Sequence, residues 1–410
     1  MRAEDFTEAN EVQELLGPLR SACAGKQFSD VIDDRGNQYV GLVMEGGGVL
    51  GVALVGYTYV LEEMGLRFLQ VGGTSAGSIN AVLVAGLGTP QERKSEKILK
   101  ELANVDFWTF VDGGADVREF VRTLVRNPGF FGLGIRGLWV LDNLFKHMGL
   151  NPGGVFYDWL SKLLSGDGVN TTRKLRERMA QLPPGLRTRE GEHLGPERAN
   201  PHLALVAADV STQTKVEFPN MAPLYWRDPD SVDPALYVWA SMSIPGFFHP
   251  LRVAGVPQGE EARARWQEQA SYNEDPPEAC TFVDGGIMSN FPIDLFHAPE
   301  KVPAAPTFGV KLGTDQRRSA ELNSLQRLGA AVFRSASHTL DYDFIKRNPD
   351  YRKLVAYIDT GQHGWLDFDM SDEAKVDLFV RGIREAEKFL TNFDWEGYKE
   401  IRRLKKELYS

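Results

Sequence analysis

The sequence predicts an α/β fold built on a mainly parallel sheet covered on both faces by helices. Residues 39–44 and 66–71 are short apolar runs of strand length. Each ends in glycine and leads directly into an apolar segment of helix length. Strand, glycine turn and helix in tandem form the repeating unit of a parallel sheet. Helices apolar nearly all round must be buried, which calls for helices on both sheet faces. A third apolar run at 202–208 shows that the sheet resumes later in the chain.

The elements follow in order. Residues 1–37 are polar and mixed, and read as a helix followed by a turn-rich connector with Asp33, Asp34, Gly36 and Asn37. The buried strand at 39–44 runs into Glu45 and three glycines, then a buried helix over 49–64 closed by Gly65. The second unit is a strand over 66–71, a sharp turn from Gly72 to Gly77, and an apolar helix over 78–87. Residues 91–200 break this rhythm. They hold an aromatic, glycine-rich section at 107–139, a basic helix over 171–181 and a Pro-rich loop. The expectation is helical cap material inserted between strands. The sheet then continues with 202–208 and an antiparallel neighbour at 214–218. Residues 238–250 read as a helix and tight turn, 256–278 as an exposed excursion, and 281–283 as a strand that enters Asp284-Gly285-Gly286. Residues 308–312 read as a last buried strand. From about 320 the chain is mainly helical, apart from an extended piece near 354–358.

Composition narrows the function. The 410 residues carry 46 Lys and Arg against 56 Asp and Glu, a formal net charge of −10. An acidic chain is a poor non-specific partner for nucleic acid, so no nucleic-acid partner is expected. The C-terminal run Arg402, Arg403, Lys405, Lys406 is a local exception. It reads as a solvated helix face, with a basic membrane-facing patch as the alternative. Cys23 and Cys280 are far apart and lack metal-ligand spacing, so neither a disulfide framework nor a metal site is expected. The N-terminus shows no signal-peptide core, and no segment reads as a membrane span. The expectation is a cytoplasmic protein, peripheral at membranes if its substrate is lipid.

Three motifs carry chemistry. Gly73-Thr74-Ser75-Ala76-Gly77 matches G-x-S-x-G. A serine on a tight strand-to-helix turn is pushed into the cleft, and Gly73 and Gly77 remove side chains that would clash. The helix N-terminus behind it favours developing negative charge. Gly46-Gly47-Gly48 lies after a strand and before a buried helix, where bare backbone N–H groups can meet a tetrahedral oxyanion. Gly46, Gly48 and Gly51 also satisfy G-x-G-x-x-G, so a nucleotide-binding loop is the competing reading. Against it, the nearest acidic residue to the position that fingerprint needs, about twenty residues on, is Glu63, at the end of the helix itself. Asp284, followed by Gly285 and Gly286 at a strand end, is a candidate base; alone, Asp-Gly is an ordinary turn. The weight comes from the company of the three, each ending an apolar strand, because in parallel sheets those ends form the ligand cleft.

With these residues in hand, the sequence resembles the patatin-like phospholipase family. The matching segments are Glu45-Gly-Gly-Gly-Val-Leu-Gly51, Gly73-Thr-Ser-Ala-Gly77, Ala240-Ser-Met-Ser-Ile-Pro-Gly-Phe-Phe-His-Pro250, and Val283-Asp-Gly-Gly286 with Ser289-Asn-Phe-Pro292. The resemblance implies a three-layer α/β/α sandwich and hydrolysis of lipid acyl esters by a Ser–Asp dyad without histidine or cofactor. It makes Ser75 the nucleophile and Asp284 the base. The backbone of Gly46, Gly47 and Gly48 becomes the oxyanion hole. It also suggests a domain plan: an N-terminal extension at 1–37, a catalytic domain at 38–313 with a cap at about 91–200, and a mostly helical C-terminal region at 314–410 packed on the core. One departure stands out. Leu50 occupies the position before Gly51 where the family usually has a basic residue, which weakens the case for a phosphate-bearing substrate.

Other readings remain open at this level. Acyl transfer and neutral-lipid lipase or esterase activity would use the same dyad, and a catalytically silent lipid- or nucleotide-binding protein would keep the fold. His297 and His338 follow Asp284, as a triad would require, but neither sits in a Gly-His loop. His249 reads as a structural hydrogen-bonding residue. The aromatic section, with Phe130 and Phe131, reads either as a membrane-facing lid or as a packed cap.

Overall fold

The computed structural model describes residues 1–115, 117–119, 148–296, 298, 300–313, 335 and 344–409. Among them, ten strands form one mixed sheet with the main path β10-β9-β2-β3-β5-β8-β7. The strands are β1 (Val31–Ile32), β2 (Gln38–Met44), β3 (Leu66–Thr74), β4 (Arg187–Thr188), β5 (His202–Asp209), β6 (Thr214–Phe218), β7 (Leu251–Ala254), β8 (Ala279–Asp284), β9 (Thr307–Leu312) and β10 (Val355–Ile358). From β10 to β5 along this path every pairing is parallel. These central strands are buried on both faces, which is why they read as continuous apolar runs rather than alternating ones.

The helices are α1 (Glu4–Thr7), α2 (Asn10–Cys23), α3 (Gly51–Glu63), α4 (Ala76–Gly86), α5 (Ser95–Asn104), α6 (Gly154–Gly166), α7 (Thr172–Met179), α8 (Pro196–Ala199), α9 (Ala222–Tyr225), α10 (Pro234–Met242), α11 (Glu260–Ala270), α12 (Asp372–Asn392) and α13 (Trp395–Tyr409). They cover both sides of the sheet. Helix α3 packs against α12, which also holds α2; α4 lies on β3 and β5 beside α10. Every residue of α3 from Gly51 to Glu62 is buried, so a helix apolar all round is here a core helix enclosed by others.

The pairing around β5 matters most for the site. Its residues 205–209 pair with β6 along one edge. The other edge is shared: β3 takes it as far as Val206, opposite Thr74, and β8 takes it from Ala207, opposite Asp284. Strand β8 therefore runs antiparallel to β5 and meets β3 end to end. This corrects the expectation that Asp284 ends a strand of a parallel sheet. It reaches the cleft because β8 enters from beyond the rim and stops where β3 stops.

Other expectations change too. Residues 256–278 are not merely an exposed excursion: they contain α11, whose Trp266 is fully buried against Tyr225. Strand β7 was not foreseen. Strand β9 is not the last, because β10 adds a parallel edge strand beside it. Strand β3 continues through Gly72-Gly73-Thr74, leaving Ser75 alone between strand and helix. The C-terminal basic run is split: Arg403 and Lys406 lie on a solvated face as expected, whereas Arg402 and Lys405 do not. Arg402 is buried and paired with Asp350 (3.0 Å), Lys405 pairs with the same carboxylate, and Arg403 pairs with Glu400. Phe130, Phe131, His297 and His338 lie outside the described residues. Among the described residues, no helix is long and apolar enough to cross a membrane.

Candidate active site

Ser75 is the hinge between β3 and α4, with φ 52° and ψ −121°. A side chain in this backbone region is strained and persists only where its surroundings hold it. Four hydrogen bonds to its backbone do so. The Ser75 N–H donates to Ser241 Oγ (2.9 Å), and Ser241 in turn donates to the Val206 carbonyl (2.6 Å). The Ser75 carbonyl accepts from Ser78 Oγ (2.6 Å) and from the N–H groups of Ser78 and Ile79. The turn is tight enough for backbone to meet backbone. A Cβ on Gly77 would lie 2.1 Å from the Met44 carbonyl, and one on Gly73 would lie 2.4 Å from Gly77. Any larger residue at either position would push β3, α4 and β2 apart.

Asp284 follows from the register. Consecutive residues of β5, Val206 and Ala207, pair with Thr74 and Asp284. The Asp284 carboxylate faces the Ser75 side chain closely enough for that hydroxyl to lower its pKa, and the Gly286 N–H donates to its Oδ1 (2.7 Å). The Asp284 N–H is fixed on the Ser243 carbonyl (2.8 Å). Only 3% of the residue is exposed. Burial pushes its pKa up to about 6, against the opposing pull of the Ser75 and Gly286 hydrogen bonds. Gly285 packs on the Val206 carbonyl, which keeps this turn against β5.

The glycine loop lies on the other side of Ser75. The three glycines are not equivalent. The Gly46 N–H is taken by the Asn290 carbonyl (3.1 Å), and Asn290 Nδ2 donates back to the Gly46 carbonyl (3.2 Å). This corrects the expectation that all three N–H groups are available. Among the described residues, nothing accepts from the N–H groups of Gly47 and Gly48. Gly48 has φ 56°, and its α-carbon sits so close to the Trp365 carbonyl that a Cβ would be 2.0 Å from that oxygen. The Ala76 N–H opens α4 and has no intrahelical acceptor. The reading from sequence overlooked it, although it follows from the motif: the residue after an elbow serine always presents its N–H there. Ser241 was overlooked as well, because a serine inside an apolar helix gives no sign of bridging two other segments. Leu50 is buried, and the cation beside the loop comes from β9: Lys311 Nζ lies 2.7 Å from Glu45 Oε1, while Glu45 Oε2 accepts from the Leu312 N–H (2.7 Å).

Ser75 and Gly48 border a cavity of about 690 Å³, part of it open to solvent. Apart from Asn80 the rest of its wall is apolar, with Ile79 and Leu83 from α4, Leu102 from α5, Phe110 from the turn that follows α5, and Phe156 and Trp159 from α6. Phe110 holds Phe156 and Trp159, each with ring centres 5.4 Å away. Among the described residues, no group of three or more His, Cys, Asp or Glu is placed to hold a metal ion. His249 has its N–H on the Asn151 carbonyl (2.8 Å).

The sequence model of the family described as Patatin-like phospholipase matches residues 42–297, and the chain belongs to that family. The match spans β2 to the turn after Asp284 and so contains all three motifs. The chain is 27% identical over 359 residues to an uncharacterized protein of Bacillus subtilis (strain 168), YqhO, covering 87% of this chain and all of that one. Among solved structures it is similar to VipD from Legionella pneumophila, with 15% identity, a TM-score of 0.42, and coverage of 90% of this chain and 70% of that one. It is also similar to the type III effector protein ExoU, with 13% identity, a TM-score of 0.39, and coverage of 90% and 55%. Family membership supports a lipid acyl hydrolase activity.

Proposed function

We propose that the protein is a carboxylic ester hydrolase of lipids that works through a Ser75–Asp284 dyad. One observation carries the reading: a strained elbow serine that lines a largely apolar cavity faces a buried aspartate whose pKa is raised. A carboxylate of ordinary pKa is a weak base, and raising it towards neutrality makes it a better proton acceptor.

The reaction then runs in two steps. Asp284 takes the Ser75 proton as Oγ bonds to the ester carbonyl carbon, and the carbonyl electron pair moves onto oxygen. The N–H groups of Gly47, Gly48 and Ala76 are the donors for that oxyanion, with the α4 N-terminus adding its dipole. The intermediate collapses, the C–O bond to the alcohol breaks, and the alcohol leaves with the proton from Asp284. Water then attacks the acyl-serine, giving its proton to Asp284, and the fatty acid is released as the proton returns to Ser75. The acyl chain occupies the apolar cavity throughout, so the substrates are fatty acyl esters, phospholipid or lysophospholipid among them. An acyltransferase would differ only in using an alcohol in place of water. The nucleotide-binding alternative is disfavoured by the cavity lining, which among the described residues includes no lysine or arginine, and by the engagement of Lys311 with Glu45.

Ser75→Ala should abolish ester hydrolysis, and a fluorophosphonate should label the wild type on Ser75. Full turnover in the variant, or labelling of another residue, would end the proposal.

A further inference from the structure

Resting on the hydrolase reading above, we propose that residues 359–370, which follow β10, form a further wall of the acyl site, and that Phe368 sets the acyl-chain preference. This segment lies outside the family-matched residues 42–297. Phe368 nonetheless lines the same cavity as Ser75. Its ring stacks on Phe247 with centres 5.1 Å apart and planes 10° apart, and meets Phe248 edge-on at 6.5 Å. Phe248, also a cavity residue, comes from the turn that follows α10. Two segments far apart in sequence thus line the cavity with packed aromatic rings.

The same segment also holds the glycine loop. The Trp365 carbonyl accepts the Val49 N–H (3.1 Å), and only glycine at position 48 leaves room for that oxygen. From behind, the segment is tied to α12. His363 Nε2 and Arg381 Nε both lie 2.7 Å from Asp377 Oδ2, and Arg381 Nη1 donates to the Asp359 carbonyl (3.1 Å). A wall braced in this way can resist an acyl chain rather than yield to it.

Two consequences follow. A chain long enough to reach Phe368 gains about fourfold for each methylene it buries there, the scale of apolar transfer. Because only two residues separate Phe368 from Trp365, chain contact also steadies the loop that carries the oxyanion donors. Part of the gain therefore belongs to kcat and not to KM alone.

The test measures kcat and KM on p-nitrophenyl esters from butyrate to palmitate for the wild type, Phe368→Ala and Phe368→Trp, with circular dichroism to check folding. In the wild type both kcat and kcat/KM should rise with chain length. Phe368→Ala should lower the long-to-short ratio of kcat/KM by about tenfold, within the range expected for a lost apolar contact, and should flatten the rise in kcat. Phe368→Trp, which fills space, should move the optimum to shorter esters and serves if the alanine variant fails to fold. An unchanged chain-length profile in the folded variants, with a wild type that turns over through Ser75, overturns this inference alone. A wild type without Ser75-dependent turnover on any ester overturns the hydrolase reading and this inference with it.

Discussion

Among the buried aspartates, Asp284 and Asp350 have pKa values shifted in opposite directions. Asp284 ends β8 facing the Ser75 hydroxyl, with the Gly286 N–H on its Oδ1, and burial pushes its pKa up to about 6. Asp350 lies beneath α13. Burial acts on it as well, but hydrogen bonds from Lys405 and Arg402, with the charge of Lys405, hold its pKa below the usual carboxylate value. The contrast shows what a cation decides. Asp284, buried with no cation beside it among the described residues, keeps some affinity for a proton and can accept it during a reaction. A buried carboxylate given two becomes a fixed anion that pins a helix.

That contrast can be broken from either side. The largest effect is expected at the site itself. Asp284→Asn removes the proton acceptor while keeping size and hydrogen-bonding capacity, and should lower kcat by roughly 10⁴-fold, as for the loss of a comparable group in a serine hydrolase. Circular dichroism should show the fold retained; near-normal turnover would remove Asp284 from the mechanism.

Next in size is the structural pair. Asp350→Ala leaves Arg402 buried without its carboxylate and should cost about 3–5 kcal/mol of stability in urea unfolding. Turnover per folded molecule should stay near wild type, since Asp350 lies outside the catalytic cavity. The sign with pH is also fixed. The folded-state pKa of Asp350 is depressed, so its contribution is present above its unfolded value and is lost as pH falls through the folded one. The alanine variant should therefore lose stability less steeply than the wild type on acidification.

The smallest effect sharpens the geometry of the elbow. Ser241→Ala leaves the buried Ser75 N–H without an acceptor and should cost about 1–3 kcal/mol of stability. Because Ser75 moves with it, kcat should fall while KM changes little. Equal loss in Ser241→Ala and Ser241→Thr would argue against the hydroxyl as the relevant feature, since threonine restores it.

Much of this arrangement was legible before the coordinates. Strands β2, β3 and β5, helices α3 and α4, and the turns at Gly46 and Ser75 depend on local patterns: apolar runs, glycines and a helix that follows at once. What was not legible depends on partners distant in sequence. The direction of β8 is set by which edge of β5 remains open after β6 and β3 have paired, and no local pattern in Thr281-Phe-Val283 records that. Arg402 lies in a charged run that looks solvated, yet it shares a helix face with Trp395 and Tyr398, and that face is buried because Asp350 is waiting beneath it. The loss of the Gly46 N–H to Asn290 came from a contact between residues 244 positions apart. Phe368 lies beyond every motif, so nothing in its neighbourhood hinted at the cavity.

The most direct measurement is the pH dependence of the rate at which a fluorophosphonate labels Ser75. Because the reactive form needs Asp284 ionised, and its pKa is raised to about 6 by burial, labelling should be slow in acid and rise to a plateau with a midpoint near pH 6. A midpoint near 4, the value of an ordinary aspartate, or a rate independent of pH, would contradict the claim that a buried, cation-free Asp284 activates Ser75.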